Sequence, residues 1–270
     1  MKKKISITVD ELILKNIDST IDNLLVRNRS QAIEIMLSKM LDNNKTAVIL
    51  LGGSENKLKI GNQFVSLIKI NKTTLIERGI YKLRENNFRE IYVIGRKKIL
   101  NSIFSVINDG HAHGVKINYL EEKVSSGTAD SLRLLKNKLS KPFLVVYGDI
   151  IFDKIRVQDI WDHHMKHKPL CTIMLTTFKN PSIKGEVILK GEKVIKFNQK
   201  PKKASSYLVF SPIFICEPEL LQHAGSMLEN DIFPSLAQKQ FLSGYISPES
   251  EMHIHKKSDL GKAKKYLSKT

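Results

Sequence analysis

Apolar and polar positions alternate over Lys4-Ile5-Ser6-Ile7-Thr8-Val9, the period-two signature of a strand with one dry face. Asp10 then suits an N-cap, and Leu14, Ile17, Ile21, Leu24 and Leu25 recur at helical spacing. After Arg27-Asn28-Arg29, Ser30 is placed to cap a second helix with Ile33, Met36, Leu37, Met40 and Leu41 on one face. One strand and two helices cannot enclose a core alone, so the pattern predicts a unit over residues 1–41 that folds as a homodimer. Residues 42–46 are polar and without period, and are expected to be a linker to a second domain over 47–270. There the rhythm changes. Strand-like runs at Ala47–Leu51, Glu90–Ile94, Val115–Leu120 and Phe143–Tyr147 alternate with helical patterns at Thr74–Glu85, Lys97–Ile107 and Thr128–Leu139. This β-α-β order predicts an α/β domain with a parallel sheet covered on both faces. Beyond residue 170 the strand-like runs crowd together (Cys171–Thr177, Glu186–Leu189, Val194–Phe197, Tyr207–Ile215), which predicts a mixed sheet, closed by a helix near Ser258–Leu267.

If Ile5, Ile7 and Val9 face a core, Lys4, Ser6 and Thr8 lie on the other face. Two such strands paired about a two-fold would make a ribbon fitting the major groove, with Lys2 and Lys3 on phosphates. Ser30 would open the second helix with N–H groups suited to a DNA phosphate, and Arg29 beside it adds charge. The order strand, helix, Arg-Ser, helix resembles the ribbon-helix-helix family of DNA-binding regulators. The resemblance implies double-stranded DNA as partner and a place in the cytoplasm on DNA. The plainer alternative is an amphipathic dimerisation hairpin with a solvated polar face.

Composition adds three limits. The chain of 270 residues is 41% apolar, enough for a core, yet no apolar run approaches the roughly 20 residues of a membrane span. The Lys-rich start does not continue into an apolar block, so no signal peptide or membrane association is expected. Cys171 and Cys216 are the only cysteines, which reads as two buried thiols. The formal charge is +17, of which residues 1–46 carry only +2 and the remainder +15. A large domain lying along phosphate, or a general abundance of lysine, would each account for that excess.

The second domain carries an ordered set of short segments: Ala47-Val48-Ile49-Leu50-Leu51-Gly52-Gly53, Thr74-Leu75-Ile76-Glu77, Ser126-Gly127-Thr128-Ala129-Asp130, Val146-Tyr147-Gly148-Asp149 and Phe197-Asn198-Gln199-Lys200-Pro201. In this order they resemble the nucleotidyltransferases that couple sugar phosphates to nucleoside triphosphates, a Rossmann-like α/β fold with a mixed sheet. The resemblance implies ligand binding at Gly52, Gly53, Lys57, Gly127, Thr128 and Lys200, and a magnesium-binding carboxylate at Asp149. Independently, glycines after a strand let backbone N–H groups approach a phosphate, and a carboxylate at a strand's carboxyl end lies where open α/β sheets bind ligands.

The chain departs from the family pattern in several places. Glu55 stands where a glycine is usual, Lys57 for an arginine, Phe64-Val65 for Pro-Lys, Gln199 for a glutamate and His253 for a second metal-binding aspartate. His253 and His255 alternate on one strand face and are candidate zinc ligands, with His163, His164 and His167 as a second cluster; solvated surface histidines are the plainer alternative. The leading expectation is therefore a sequence-specific DNA-binding transcriptional regulator whose large domain is a pseudoenzyme sensing a nucleotide or nucleotide sugar. The alternatives are an active sugar-phosphate nucleotidyltransferase using Mg2+, with an appended regulatory module, and a chromatin-type architectural protein.

Overall fold

The computed structural model describes residues 5–22, 26–42, 45–53, 58–124 and 126–268. Internal packing divides the chain into two units, 1–44 and 45–270.

The first unit holds helices α1 (Glu11–Asp18) and α2 (Arg29–Asp42). Asp10 caps α1, its carboxylate accepting from the Leu12 N–H at 2.8 Å. Residues 5–10 form no strand, contrary to the alternating pattern: the period states which face is dry, but a strand also needs a neighbour to bond. Helix α1 stops at Asp18 rather than continuing toward Leu25. Ser30 is not the cap of α2. The helix starts at Arg29, and the Asn28 side-chain oxygen accepts from Gln31 N–H at 2.9 Å. Arg29 is held in a two-pronged pair with Asp18 at 2.6 and 2.7 Å. Of the residues expected at DNA, Lys2 and Lys4 lie outside the described residues, as do Lys3, Leu24 and Leu25.

The second unit is built on nine strands: β1 (Lys45–Leu51), β2 (Phe88–Gly95), β3 (Lys116–Glu121), β4 (Phe143–Tyr147), β5 (Cys171–Thr177), β6 (Gly185–Lys190), β7 (Lys193–Gln199), β8 (Leu208–Cys216) and β9 (Leu242–Ile246). They form one sheet in the order β5-β9-β7-β6-β8-β4-β1-β2-β3. The pairs β1/β2, β1/β4 and β2/β3 are parallel, whereas β4/β8 and β6/β7 are antiparallel, so the sheet is mixed as expected. Strand β1 begins at Lys45, inside the stretch expected to be a linker. Ala47, Ile49 and Leu51 enter one apolar cluster and Val48 and Leu50 another, so β1 is dry on both faces. That is why it reads as a continuous apolar run.

Helices α3 (Leu75–Glu85), α4 (Lys97–Ile107), α5 (Thr128–Arg133), α6 (Val157–His167), α7 (Phe233–Gln238) and α8 (Asp259–Ser268) pack around this sheet. Thr74 and Glu77 close a capping box on α3. Helix α5 is six residues long, shorter than the expected Thr128–Leu139. Helix α6 escaped the sequence reading, because His164 holds a core position among Val157 and Ile160. Cys171 and Cys216 face each other across β5 and β8, buried and unbridged.

His164 is fully buried, with Nδ1 2.8 Å from Thr172 Oγ1, and burial lowers its pKa to about 4. The folded chain thus keeps it neutral while the unfolded chain takes a proton below about pH 6.5. Stability is present above pH 6.5 and is lost as the pH falls toward 4, by up to about 3 kcal/mol. Urea unfolding across this window should show the loss, and a His164→Leu variant should show a flatter profile.

Candidate active site

Strand β4 ends at Tyr147, and the next residue is a closely packed glycine: a Cβ on Gly148 would stand 2.2 Å from Leu51 Cδ2, so the leucine side chain would have to move. Asp149 follows, at the carboxyl end of the parallel strands. A two-residue antiparallel pairing of Ile150–Ile151 with Met252–His253 brings a segment more than a hundred residues away beside it. His255 Nδ1 then lies 3.6 Å from Asp149 Oδ2, and His253 Nδ1 lies 3.9 Å from it. The other carboxylate oxygen, Asp149 Oδ1, is buried and makes no hydrogen bond. One ligand atom each from Asp149, His253 and His255 lie within 4.8 Å of one another. A carboxylate with two imidazoles beside one oxygen and no partner on the other fits a divalent cation, and the nitrogen donors suit Mn2+ or Zn2+ better than Mg2+.

These residues line a cavity of about 560 Å³, the size of a small-ligand pocket. Glu251 forms its buried wall. It accepts from Lys184 Nζ at 3.0 Å and from Ser211 Oγ at 2.6 Å, and His253 Nε2 stands 3.3 Å away. Burial alone would raise the Glu251 pKa, but His253, Lys184 and Ser211 together pull it down to about 2. Burial opposes a charge on His253, yet the Asp149 and Glu251 carboxylates raise its pKa to about 9. In the cavity as it stands His253 is therefore an imidazolium at neutral pH.

A second group of residues surrounds the end of β1. Gly52 is close-packed, an added Cβ meeting Ser131 Oγ at 3.3 Å and Glu122 Oε2 at 3.7 Å, whereas Gly53, with φ +111°, has open space beside it. Glu122 is buried; Oε1 is bonded by the Ser131 hydroxyl, and Oε2 has no hydrogen-bond partner. Gly127 has φ +155°, and a Cβ there would sit 2.2 Å from the Ser226 carbonyl oxygen, so the backbone conformation and the space both demand glycine. The Thr128 hydroxyl is committed within the protein, accepting from Leu228 N–H and donating to Glu229 Oε2, both at 2.9 Å. Tyr147 donates to the other Glu229 oxygen at 2.5 Å. Any ligand contact at Thr128 accordingly falls to its backbone.

Lys200 lines the cavity with Gln199, held by its N–H to the Lys184 carbonyl at 2.9 Å with φ +47°. Thus Asp149, Lys200, His253 and His255 share one cavity, whereas Gly52, Gly53 and Gly127 lie outside its lining. Lys57 and Glu55 fall outside the described residues. The sequence reading missed Glu122, Lys184, Glu229 and Glu251. Glu122 follows a strand directly, a signal available beforehand, but nothing local marks the other three.

A strand-end carboxylate, two imidazoles and a lysine in one cavity of an α/β sheet are chemically suited to a phosphorylated ligand. The comparisons narrow this. A family model described as nucleotidyl transferase matches residues 46–270, and the chain belongs to that family. A mannose-1-phosphate guanylyltransferase catalytic subunit beta of Dictyostelium discoideum is 34% identical over 131 residues, 46% of this chain and 36% of that one. A rice protein (Oryza sativa subsp. japonica) assigned as a mannose-1-phosphate guanylyltransferase is 26% identical over 234 residues, 82% of this chain and 63% of its own. The chain thus spans about a third to under two thirds of these relatives' length. A Bacillus anthracis structure assigned as a glucose-1-phosphate thymidylyltransferase, solved with sucrose, superposes with a TM-score of 0.76 at 18% identity. It covers 84% of this chain and 96% of that one, which establishes the fold.

These findings overturn the leading expectation. The relatives are named for transfer to sugar phosphates and not for DNA, so the transcriptional regulator, the architectural protein, double-stranded DNA as partner and a place on DNA are set aside. A ribbon-helix-helix unit is not shown among the described residues, and the disabled-enzyme reading has no support from the family match. No helix among the described residues is long and apolar enough to cross a membrane.

Replacing Gly127 by alanine should destabilise the chain by about 2–4 kcal/mol, since the added methyl meets backbone rather than a movable side chain. Urea unfolding checks this; a change under 0.5 kcal/mol, well within the scatter of surface substitutions, would contradict the close approach described.

Proposed function

We propose that this chain is an active sugar-1-phosphate nucleotidyltransferase with guanosine triphosphate as donor. The observation that carries the proposal is the orphaned Asp149 oxygen in a cavity that also contains Lys200 and two imidazoles. A phosphate oxygen of the sugar phosphate attacks the α-phosphorus. The new P–O bond forms as the bond from that phosphorus to the bridging oxygen breaks, and pyrophosphate leaves. Such chemistry needs positioning and charge compensation more than proton transfer.

Lys200 would hold the phosphate of the sugar, a role supported by its place on the cavity wall with its backbone bonded to Lys184. Asp149 and His255 would hold a divalent cation, Mg2+ or Mn2+, with His253 joining only as its proton is displaced, and the ion when bound offsets triphosphate charge. Glu251 keeps His253 turned toward Asp149. Gly53 leaves room for the nucleotide beside the first strand. Support for guanine comes from Glu122. A carboxylate oxygen lacking a partner accepts hydrogen bonds, and guanine presents adjacent N1–H and N2–H donors, a pairing that no other common base offers. The names of the relatives agree with that base.

Pyrophosphate release measured across the four nucleoside triphosphates, with mannose 1-phosphate and a panel of hexose 1-phosphates, should be fastest with GTP. Asp149→Ala should lower turnover by about a thousandfold. Turnover at background for every pair, or activity indifferent to Asp149, would refute the assignment. Glu122→Gln should cut the preference for GTP by about 10- to 100-fold while leaving the fold intact, because an amide cannot accept both guanine donors.

A further inference from the structure

A second group of metal-ligating side chains lies away from the cavity. His163 and His167 are four residues apart on α6, so they sit one turn apart on the same face. Their rings are 4.7 Å apart and tilted by 38°. The turn between β6 and β7 approaches them. Gly191, with φ +62°, reverses the chain there, and Glu192 follows with Oε2 2.8 Å from His167 Nδ1. One ring nitrogen from each histidine and one Glu192 oxygen lie within 4.8 Å of one another.

The surroundings also position the His163 ring. Ser243 Oγ donates to the Glu192 carbonyl at 3.1 Å and lies 3.2 Å from His163 Nε2. Outer polar partners of this kind orient metal-bound histidines. None of His163, His167, Glu192 and Ser243 lines the 560 Å³ cavity.

We propose that His163, His167 and Glu192 form a zinc site that clips α6 to the β6–β7 hairpin. Two imidazoles and one carboxylate are a zinc donor set, and small side-chain rotations bring them to bonding distance, about 2.0–2.2 Å. Three protein ligands leave the fourth position to water, consistent with the 51% exposure of the Glu192 side chain. The hairpin reaches from this turn to Gly185 and Gln199 on the cavity wall, roughly 20 Å away at strand rise. Zinc here would therefore stiffen the element that carries Lys200 without touching the ligand. This site is independent of the transfer reaction proposed above.

The test uses full-length chelated protein carrying Asp149→Ala, which weakens the other three-residue group. Zinc titrated by calorimetry should bind at one equivalent, and Co2+ should give the visible absorption of a four-coordinate site. At a hundredfold excess over Kd, zinc should raise the melting temperature by about 5 °C. Adding His167→Ala should weaken zinc at least 100-fold and abolish the thermal shift. Adding Glu192→Gln, on an exposed turn, should weaken it about tenfold or more with the metal-free melting temperature unchanged. Absence of a zinc-dependent shift in the Asp149→Ala protein, or a shift surviving both substitutions, would overturn the proposal.

Discussion

Glu251 is a carboxylate removed from water and still ionised, and the geometry of the cavity follows from how that charge is compensated. Lys184 reaches it from the start of β6, Ser211 from the middle of β8, and His253 from the short pairing beside Asp149. Three pieces of chain distant in sequence are thereby held to one point. Removing one partner of a buried pair leaves an uncompensated charge that costs about 3–5 kcal/mol, so these contacts are difficult to lose singly. Because His253 is shared between Glu251 and Asp149, the same arrangement sets where the strand-end carboxylate meets its neighbours.

The fold was largely legible because its strands are dry on both faces. Runs such as Ala47–Leu51 and Phe143–Tyr147 have few alternatives in a chain punctuated by Gly52-Gly53 and Gly148. Helix α6 was not legible, since a histidine occupies one of its core positions and apolar periodicity cannot see it. Asp149 and Lys200 were visible from short local motifs. Glu229 and Glu251 were not, because their meaning comes from partners 101 and 67 residues away, Thr128 and Lys184.

The misreading at the N-terminus has a different physical cause. Local pattern specified an alternating segment and two helices, and two helices are present, but α1 ends early and Asn28 rather than Ser30 caps α2. Each departure from the family pattern, taken singly, reads as a loss of function. In the folded chain His253 is an imidazolium flanked by two carboxylates, so a change of residue type did not translate into a simple loss of charge. The lysine excess outside the first 46 residues likewise says nothing about DNA once the cavity itself is seen to contain Lys184, Lys200 and Lys262.

Glu229 accepts from Tyr147 on the end of β4 and from Thr128 at the head of α5, while the Leu228 N–H returns to Thr128. Burial and the adjacent carboxylate push the Tyr147 pKa well above its ordinary value, so this phenol stays a donor at any physiological pH. The loop of residues 226–229 is thus tied to two other elements before any ligand arrives. Its conformational freedom has already been surrendered in folding, and a ligand meeting that wall has little ordering left to do. On that side, recognition should follow shape and hydrogen-bond match, with the rates of entry and exit set by segments other than this one.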